Sequence, residues 1–152
     1  MMVADNAIID VLDLADIIPL RQQLLRPGKP LASCYFAGDD GSQAARHLGA
    51  LVDNHLVSIA SLYDAHYPLD DTLPGWQLRG VATLPQSRGR GLASTLVREA
   101  VAFAATQRAS LVWCNVRIKA QGMYFRQGFY AVGDEFMIAD IGWHRLMRCD
   151  LT

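Results

Sequence analysis

Little in this 152-residue chain points to a metal, a membrane or a disulfide framework. Its three cysteines, Cys34, Cys114 and Cys149, are far apart and form no C-x-x-C pair, so reduced thiols are expected. The four histidines, His47, His55, His66 and His144, show no ligand spacing, and no metal site is expected. No apolar run approaches the ~20 residues of a membrane helix. The opening segment, MMVADNAIID, is acidic and lacks a basic n-region, so a cytoplasmic location is expected rather than secretion. Repeats and low-complexity tracts are absent. Fourteen Lys and Arg against fifteen Asp and Glu leave a net charge of −1, which argues against a nucleic-acid partner. With 51% hydrophobic and 19% charged residues, the composition is that of one folded domain spanning residues 1–152, with no membrane partner.

The near-neutral total hides an asymmetry. From Arg79 to Arg126 the chain holds eight basic residues and one acid, Glu99, a local charge of +7 that the rest of the sequence balances with −8. A positive segment in a neutral protein suits a small anionic ligand better than a duplex.

Ile8–Val11 reads as a first strand, and Asp13 as the cap of a helix running to about Leu25, with Pro19 expected to delay or kink it. His47–Val52 and Leu56–Tyr63 read as a hairpin around Asp53-Asn54. Trp76–Leu84 is the next strand, Gln86–Gly91 a polar turn, and Leu92–Thr106 a helix with Leu92, Leu96, Ala100, Phe103 and Ala104 on one face. Leu111–Val116 is too short for a helix and reads as a buried strand. Lys119–Gln127 reads as a short helix closed by Gly128, and Phe129–Val132 and Trp143–Leu151 as the last strands. The order β-α-ββ-β-α-β-α-β-β predicts an α/β fold, a mixed central sheet flanked by helices on both faces.

The informative stretch is the strand-turn-helix from Leu78 to Ser94. Helix N-termini present unpaired N–H groups and a positive dipole end, and Gly89 and Gly91 leave the backbone open to an anion. A Walker A loop is absent, and the G-x-G-x-x-G fingerprint fails because Ser94 stands where the third glycine belongs. The residues that do fit are Arg88-x-x-Gly91-x-Ala93, followed by Ala120-x-x-x-Tyr124-Phe125-x-x-Gly128-Phe129. This pattern resembles the GNAT N-acetyltransferase superfamily. The chain is further similar to a small bacterial subgroup through Trp113-Cys114-Asn115-Val116-Arg117 and through Glu135-Phe136-Met137-Ile138 with Ile141-Gly142-Trp143-His144. The match covers roughly Leu48 to the C-terminus, the earlier part agreeing in element order alone.

The resemblance implies an acetyl-CoA-dependent enzyme acetylating a primary amine. It assigns the cofactor cradle to Arg88, Gly89, Arg90, Gly91, Leu92, Ala93 and Ser94. The pantetheine arm would run along Val81, Ala82 and Thr83, where a backbone N–H polarises the acetyl carbonyl. Asn115 is a further pantetheine partner and Arg126 a phosphate partner. Tyr124 is implied as the general acid toward the leaving thiolate. The Trp76–Leu84 strand lacks the carboxylate that many relatives use as a base, which leaves Glu135, His144, His47 or a water chain. Arg79 and Arg117 are candidate acceptor-binding residues, tilting the acceptor toward a small amine that also carries a negative group. A peptide amine stays open as acceptor, and the resemblance makes a homodimer a reasonable expectation. The alternative reading is a non-catalytic acyl-CoA-binding or sensor domain on the same fold.

Overall fold

The computed structural model describes residues 2–3 and 6–151. Eight strands form one mixed sheet: β1 (Met2–Val3), β2 (Ala7–Leu12), β3 (Ala45–Val52), β4 (His55–Asp64), β5 (Gly75–Thr83), β6 (Leu111–Arg117), β7 (Tyr130–Ile138) and β8 (Gly142–Asp150). Their hydrogen-bonded order is β1-β2-β3-β4-β5-β6-β8-β7. Helices α1 (Leu14–Leu25), α2 (Leu92–Thr106) and α3 (Gln121–Arg126) fall between β2 and β3, β5 and β6, and β6 and β7. Short 3-10 turns at Leu31–Cys34, Pro85–Ser87 and Ile118–Ala120 lead into the segments that follow them. The backbone divides into two compact units, residues 1–64 with 78–100, and residues 65–77 with 101–152.

In the first unit, β2, β3 and β4 form an antiparallel meander. The β3–β4 turn is made by Asp53 and Asn54, at φ 50° and 66°. These are the left-handed values a two-residue hairpin of this hand requires, in residue types that tolerate them. Seven consecutive residues of β4, Val57–Tyr63, are buried, as expected of a strand covered on both faces. Helix α1 begins at Leu14, where the Asp16 carboxylate accepts the Asp13 N–H at 3.3 Å. The expected late start at Pro19 is corrected: the helix runs from Leu14 to Leu25 with Pro19, which is exposed, inside it. The buried face of α1 is Ile17, Ile18 and, unexpectedly, Arg21.

In the second unit, β5 pairs with β6 in parallel over Gly75↔Leu111, Trp76↔Val112 and Gln77↔Trp113. The core here includes Leu111, Trp113, Leu146 and Tyr67. Trp113 satisfies its indole by donating Nε1–H to the Ala65 carbonyl at 3.0 Å. Trp76 packs edge-on against Phe103 at 5.5 Å. Strand β7 runs six residues past the expected end at Val132. Its register against β8 shifts between Val132 and Phe136, with Gly133 at φ 75°, so a bulge breaks the alternation before the strand resumes.

Within β5, Gly80 has φ 65°, and a Cβ built there would lie 2.9 Å from the Phe36 ring. Gly80→Ala therefore combines backbone strain with overlap, a cost of about 1–3 kcal/mol. The expected result is a Tm lower by roughly 4–8 °C. A Tm equal to that of the parent in thermal denaturation would contradict this reading of Gly80.

Candidate functional site

In the first unit the end of β5 is tied to β4 on one side and to the following turn on the other. Leu84 N–H donates to the Val57 carbonyl at 2.8 Å, and Ser58 Oγ–H donates to the Ala82 carbonyl at 3.2 Å. Ser58 Oγ also lies 2.7 Å from Thr83 Oγ1. With Leu84 turned toward β4, alternation along the strand turns the backbone groups of Val81 and Thr83 to the edge away from β4. The Thr83 carbonyl accepts from Arg88 Nε at 3.1 Å. Arg88 N–H closes the 3-10 turn on the Pro85 carbonyl at 3.3 Å. Arg88 thus braces the turn, and the open groups of the expected cradle lie beyond it.

Gly89 and Gly91 have φ 79° and 76°, and a Cβ on either would meet nothing within 4 Å. The first helical hydrogen bond runs from Thr95 N–H to the Gly91 carbonyl at 3.0 Å, and the Thr95 hydroxyl donates to the same carbonyl at 2.9 Å. The N–H groups of Leu92, Ala93 and Ser94 consequently have no acceptor within the helix. Glycine here supplies both the left-handed backbone and the empty space in front of it. A pyrophosphate-sized anion fits this arrangement, because successive N–H groups and the helix dipole point to one end of α2.

The same unit contains a buried polar cluster that the sequence reading missed. Arg21 is fully buried. Its Nη1 donates to Asp39 Oδ2 at 2.7 Å and to the Cys34 carbonyl at 2.9 Å, while Nη2 donates to Ser61 Oγ at 2.9 Å and Tyr63 Oη at 2.7 Å. Asp39 also accepts from the Phe36 N–H at 2.6 Å and from the Tyr63 hydroxyl. His47 Nδ1 lies 2.7 Å from Ser61 Oγ, and its Nε2 4.0 Å from Asp39. Burial raises the Asp39 pKa, yet the bonds from Arg21, Tyr63 and Phe36 outweigh it and hold the carboxyl below its usual range. Burial and the Asp39 bond push the Tyr63 phenol up to about 12. Burial and the Arg21 charge lower His47, the candidate base of this unit. Arg79, expected at the acceptor, stands over the Phe36 ring at 4.3 Å from its centroid. The signal available in the sequence was an arginine at i+4 from Ile17 and i+3 from Ile18, on the apolar face of a helix.

In the second unit, α3 ends in a Schellman motif: Gly128, at φ 92°, donates to the Phe125 carbonyl at 3.2 Å, and Phe129 N–H to the Tyr124 carbonyl at 3.0 Å. Phe129 also packs edge-on against the Tyr124 ring at 5.4 Å. The Tyr124 phenol is buried and hydrogen-bonded with the Cys114 side chain; burial first, then Cys114, raise its pKa well above the ordinary value. Asn115 and Arg117 are exposed on β6 on either side of the buried Val116, and Arg126 is exposed on α3. Arg117 and Glu135 line one cleft of about 560 Å³ together with Lys119, Ile141 and Trp143. His144 is buried beside it, opposite Arg117 and Phe136 in the sheet register. The Gly142 carbonyl accepts from His144 Nδ1 at 2.7 Å, which makes Nε2 the unprotonated nitrogen of the neutral ring. Among the described residues no group of three or more His, Cys, Asp or Glu is placed to hold a metal, and no helix is long and apolar enough to cross a membrane.

A strand, a glycine turn open to an anion and a helix N-terminus are thus brought together in a mixed sheet. The sequence model of the acetyltransferase (GNAT) family matches residues 15–129. The chain is 32% identical over 139 residues to the uncharacterized N-acetyltransferase YitI of Bacillus subtilis strain 168, covering 91% of this chain and 93% of that protein. Among solved structures it is similar to Escherichia coli ElaA, at 18% identity and TM-score 0.74 over 95% of this chain and 99% of the other. It also resembles the ribosomal-protein-S18-alanine N-acetyltransferase of Escherichia coli, at 16% identity and TM-score 0.71 over 96% and 94%. The chain belongs to the GNAT acetyltransferase family, and its class is that of an acyltransferase. The α/β fold expected from the element order is the fold of that family.

Asp39→Asn removes the charge opposed to a fully buried arginine and is expected to cost about 3–5 kcal/mol of stability. The pH dependence has a defined sign. His47 is held below the ordinary histidine value of about 6.5, so the unfolded chain binds the extra proton and stability falls as pH drops from about 6.5. The Asp39 contribution follows at lower pH, complete above about pH 4 and lost as the carboxyl protonates. Urea midpoints from pH 8 to 4 should show this decline, and His47→Gln should delay it to the carboxylate range. Identical profiles for parent and variant would rule out the His47 contribution.

Proposed function

We propose that this chain transfers the acetyl group of acetyl-CoA to the primary amine of a small acceptor. The observation that carries the reading is the Gly89–Ser94 turn, with two left-handed glycines facing open space and three helix N–H groups lacking an intrahelical acceptor. Acetyl-CoA supplies the activated thioester. Gly89, Arg90, Gly91, Leu92, Ala93 and Ser94 would hold its pyrophosphate, with Arg88 bracing the turn against Thr83. Arg126 would add charge toward the phosphates, and Asn115 a hydrogen bond to the pantetheine arm.

The edge of β5 away from β4 offers the backbone groups of Val81 and the Thr83 N–H, because the carbonyls of Ala82 and Thr83 are already bonded to Ser58 and Arg88. A N–H there would stabilise charge developing on the acetyl oxygen, the kind of contact worth ~10²–10³ in rate. As the amine nitrogen bonds to the acetyl carbon, the C–S bond breaks; the amine gives up one proton and the departing sulfur gains one. Tyr124 would deliver that proton. Its high pKa keeps it protonated at neutral pH, which supports this role. His144, through Nε2, or Glu135 in the adjoining cleft would receive the proton from the amine. Arg117, in that same cleft, is a further acceptor contact.

Isothermal titration should show micromolar acetyl-CoA binding, abolished in Gly91→Glu while circular dichroism shows the fold retained and the Tm falls modestly from the strain at this left-handed position. Tyr124→Phe should lower kcat at least tenfold with the acetyl-CoA Kd preserved. Absence of binding by the parent would overturn the cofactor assignment. Binding with no turnover on any amine would favour a sensor domain, and full kcat in Tyr124→Phe would remove the general acid.

A further inference from the structure

Around Phe36, three guanidiniums gather for one carboxylate. The carbons of Arg21, Arg79 and Arg26 lie 3.9, 4.3 and 6.0 Å from the ring centroid. Asp39 is the carboxylate of this group, and it is consumed by Arg21, Tyr63 and the Phe36 N–H. Tyr63, with its pKa near 12, and His47, lowered by burial, are neutral at pH 7. Among the described residues, Arg26 and Arg79 therefore have no ion-pair partner.

Arg79 is half-buried, and among the described residues it makes neither a salt bridge nor a side-chain hydrogen bond beyond its contact with the ring. A half-buried guanidinium whose N–H groups have no protein acceptor is available to an anion. A second observation points to the same place. Arg21 is fully buried with an Nε that has no acceptor, and a Cβ built on Gly80 would lie 3.5 Å from that Nε. The orphaned N–H is thus beside Gly80, the neighbour of Arg79 in β5.

We propose that Arg79, Phe36 and Arg26, backed by Arg21, form the carboxylate-recognising part of the acceptor site, so that the amine acetylated is a small amino acid. The proposal rests on the acetyl-transfer reading above and names its substrate class. Arg79 precedes Val81, the residue offered to the acetyl group, by two positions, at most ~7 Å of strand. A carboxylate held at Arg79 leaves only a few bonds to the attacking nitrogen. This favours an amino and a carboxyl group close together, and disfavours polyamines and protein lysines. The planar guanidinium, steadied by the ring, presents paired N–H groups that match a carboxylate.

The test is steady-state acetyl transfer to free amino acids, to the corresponding amino acid amides and to spermidine, by the parent and Arg79→Gln, with acetyl-CoA binding titrated in parallel. The parent should favour the acids over their amides by at least tenfold in kcat/KM. Arg79→Gln should bring that ratio close to one through the KM of the acid, with the acetyl-CoA Kd unaltered. Arg26→Gln should produce a smaller loss in the same direction and serves as the second variant if Arg79→Gln is unstable. Amides or spermidine used as well as the acids, or a ratio preserved in both variants, would overturn the proposal. So would intact acetyl-CoA binding with no amino acid in the panel acetylated. Loss of acetyl-CoA binding by the parent would instead mark the failure of the acetyltransferase reading.

Discussion

The first unit depends on one buried ion pair. Arg21 and Asp39 meet at 2.7 Å with both side chains almost wholly removed from water, a placement that is favourable only because further groups complete their hydrogen bonding. Through Arg21, helix α1 is joined to the Cys34 carbonyl and to Ser61 and Tyr63 of β4. Through Asp39, the loop after the Leu31–Cys34 turn is folded back onto the same strand. Phe36, fixed by that loop, then receives the guanidinium of Arg79 from β5. The positive φ at Gly80 belongs to the same constraint, since a side chain there would meet Phe36 and displace the ring from Arg21.

This arrangement divides labour along β5. Its last residues, Val81 to Thr83, are aligned by hydroxyl bonds to β4 and by the Arg88 side chain of the following turn. The stretch before them is held by side chains, and it carries Arg79, which has no ion-pair partner among the described residues. In the proposed reading, backbone groups would hold the cofactor, and the arginines with the aromatic ring would hold the acceptor.

The fold was largely legible from local pattern. Gly128 at the end of α3 announces a Schellman motif because only the residues from Tyr124 to Phe129 are involved. Asp53-Asn54 announces a two-residue turn for the same reason. The glycine turn was legible too, since Gly89, Gly91 and the start of α2 are contiguous. The buried arginine was not, because its partners lie 13 to 42 residues away and tertiary pairing alone makes a charge tolerable there. Pro19 misled because a lost hydrogen bond in an exposed turn is a smaller penalty than the burial of Ile17 and Ile18 can offset. The outer half of β7 was obscured by Gly133, Asp134 and Glu135, which break the alternation although the strand continues on the far side.

The central claim is that the turn between β5 and α2 holds the cofactor, and amide hydrogen exchange with and without acetyl-CoA tests it most directly. The account predicts that protection appears at residues 81–94, strongest at the amides of residues 89–94. Protection confined to other segments, or an exchange pattern unchanged at saturating acetyl-CoA, would contradict it.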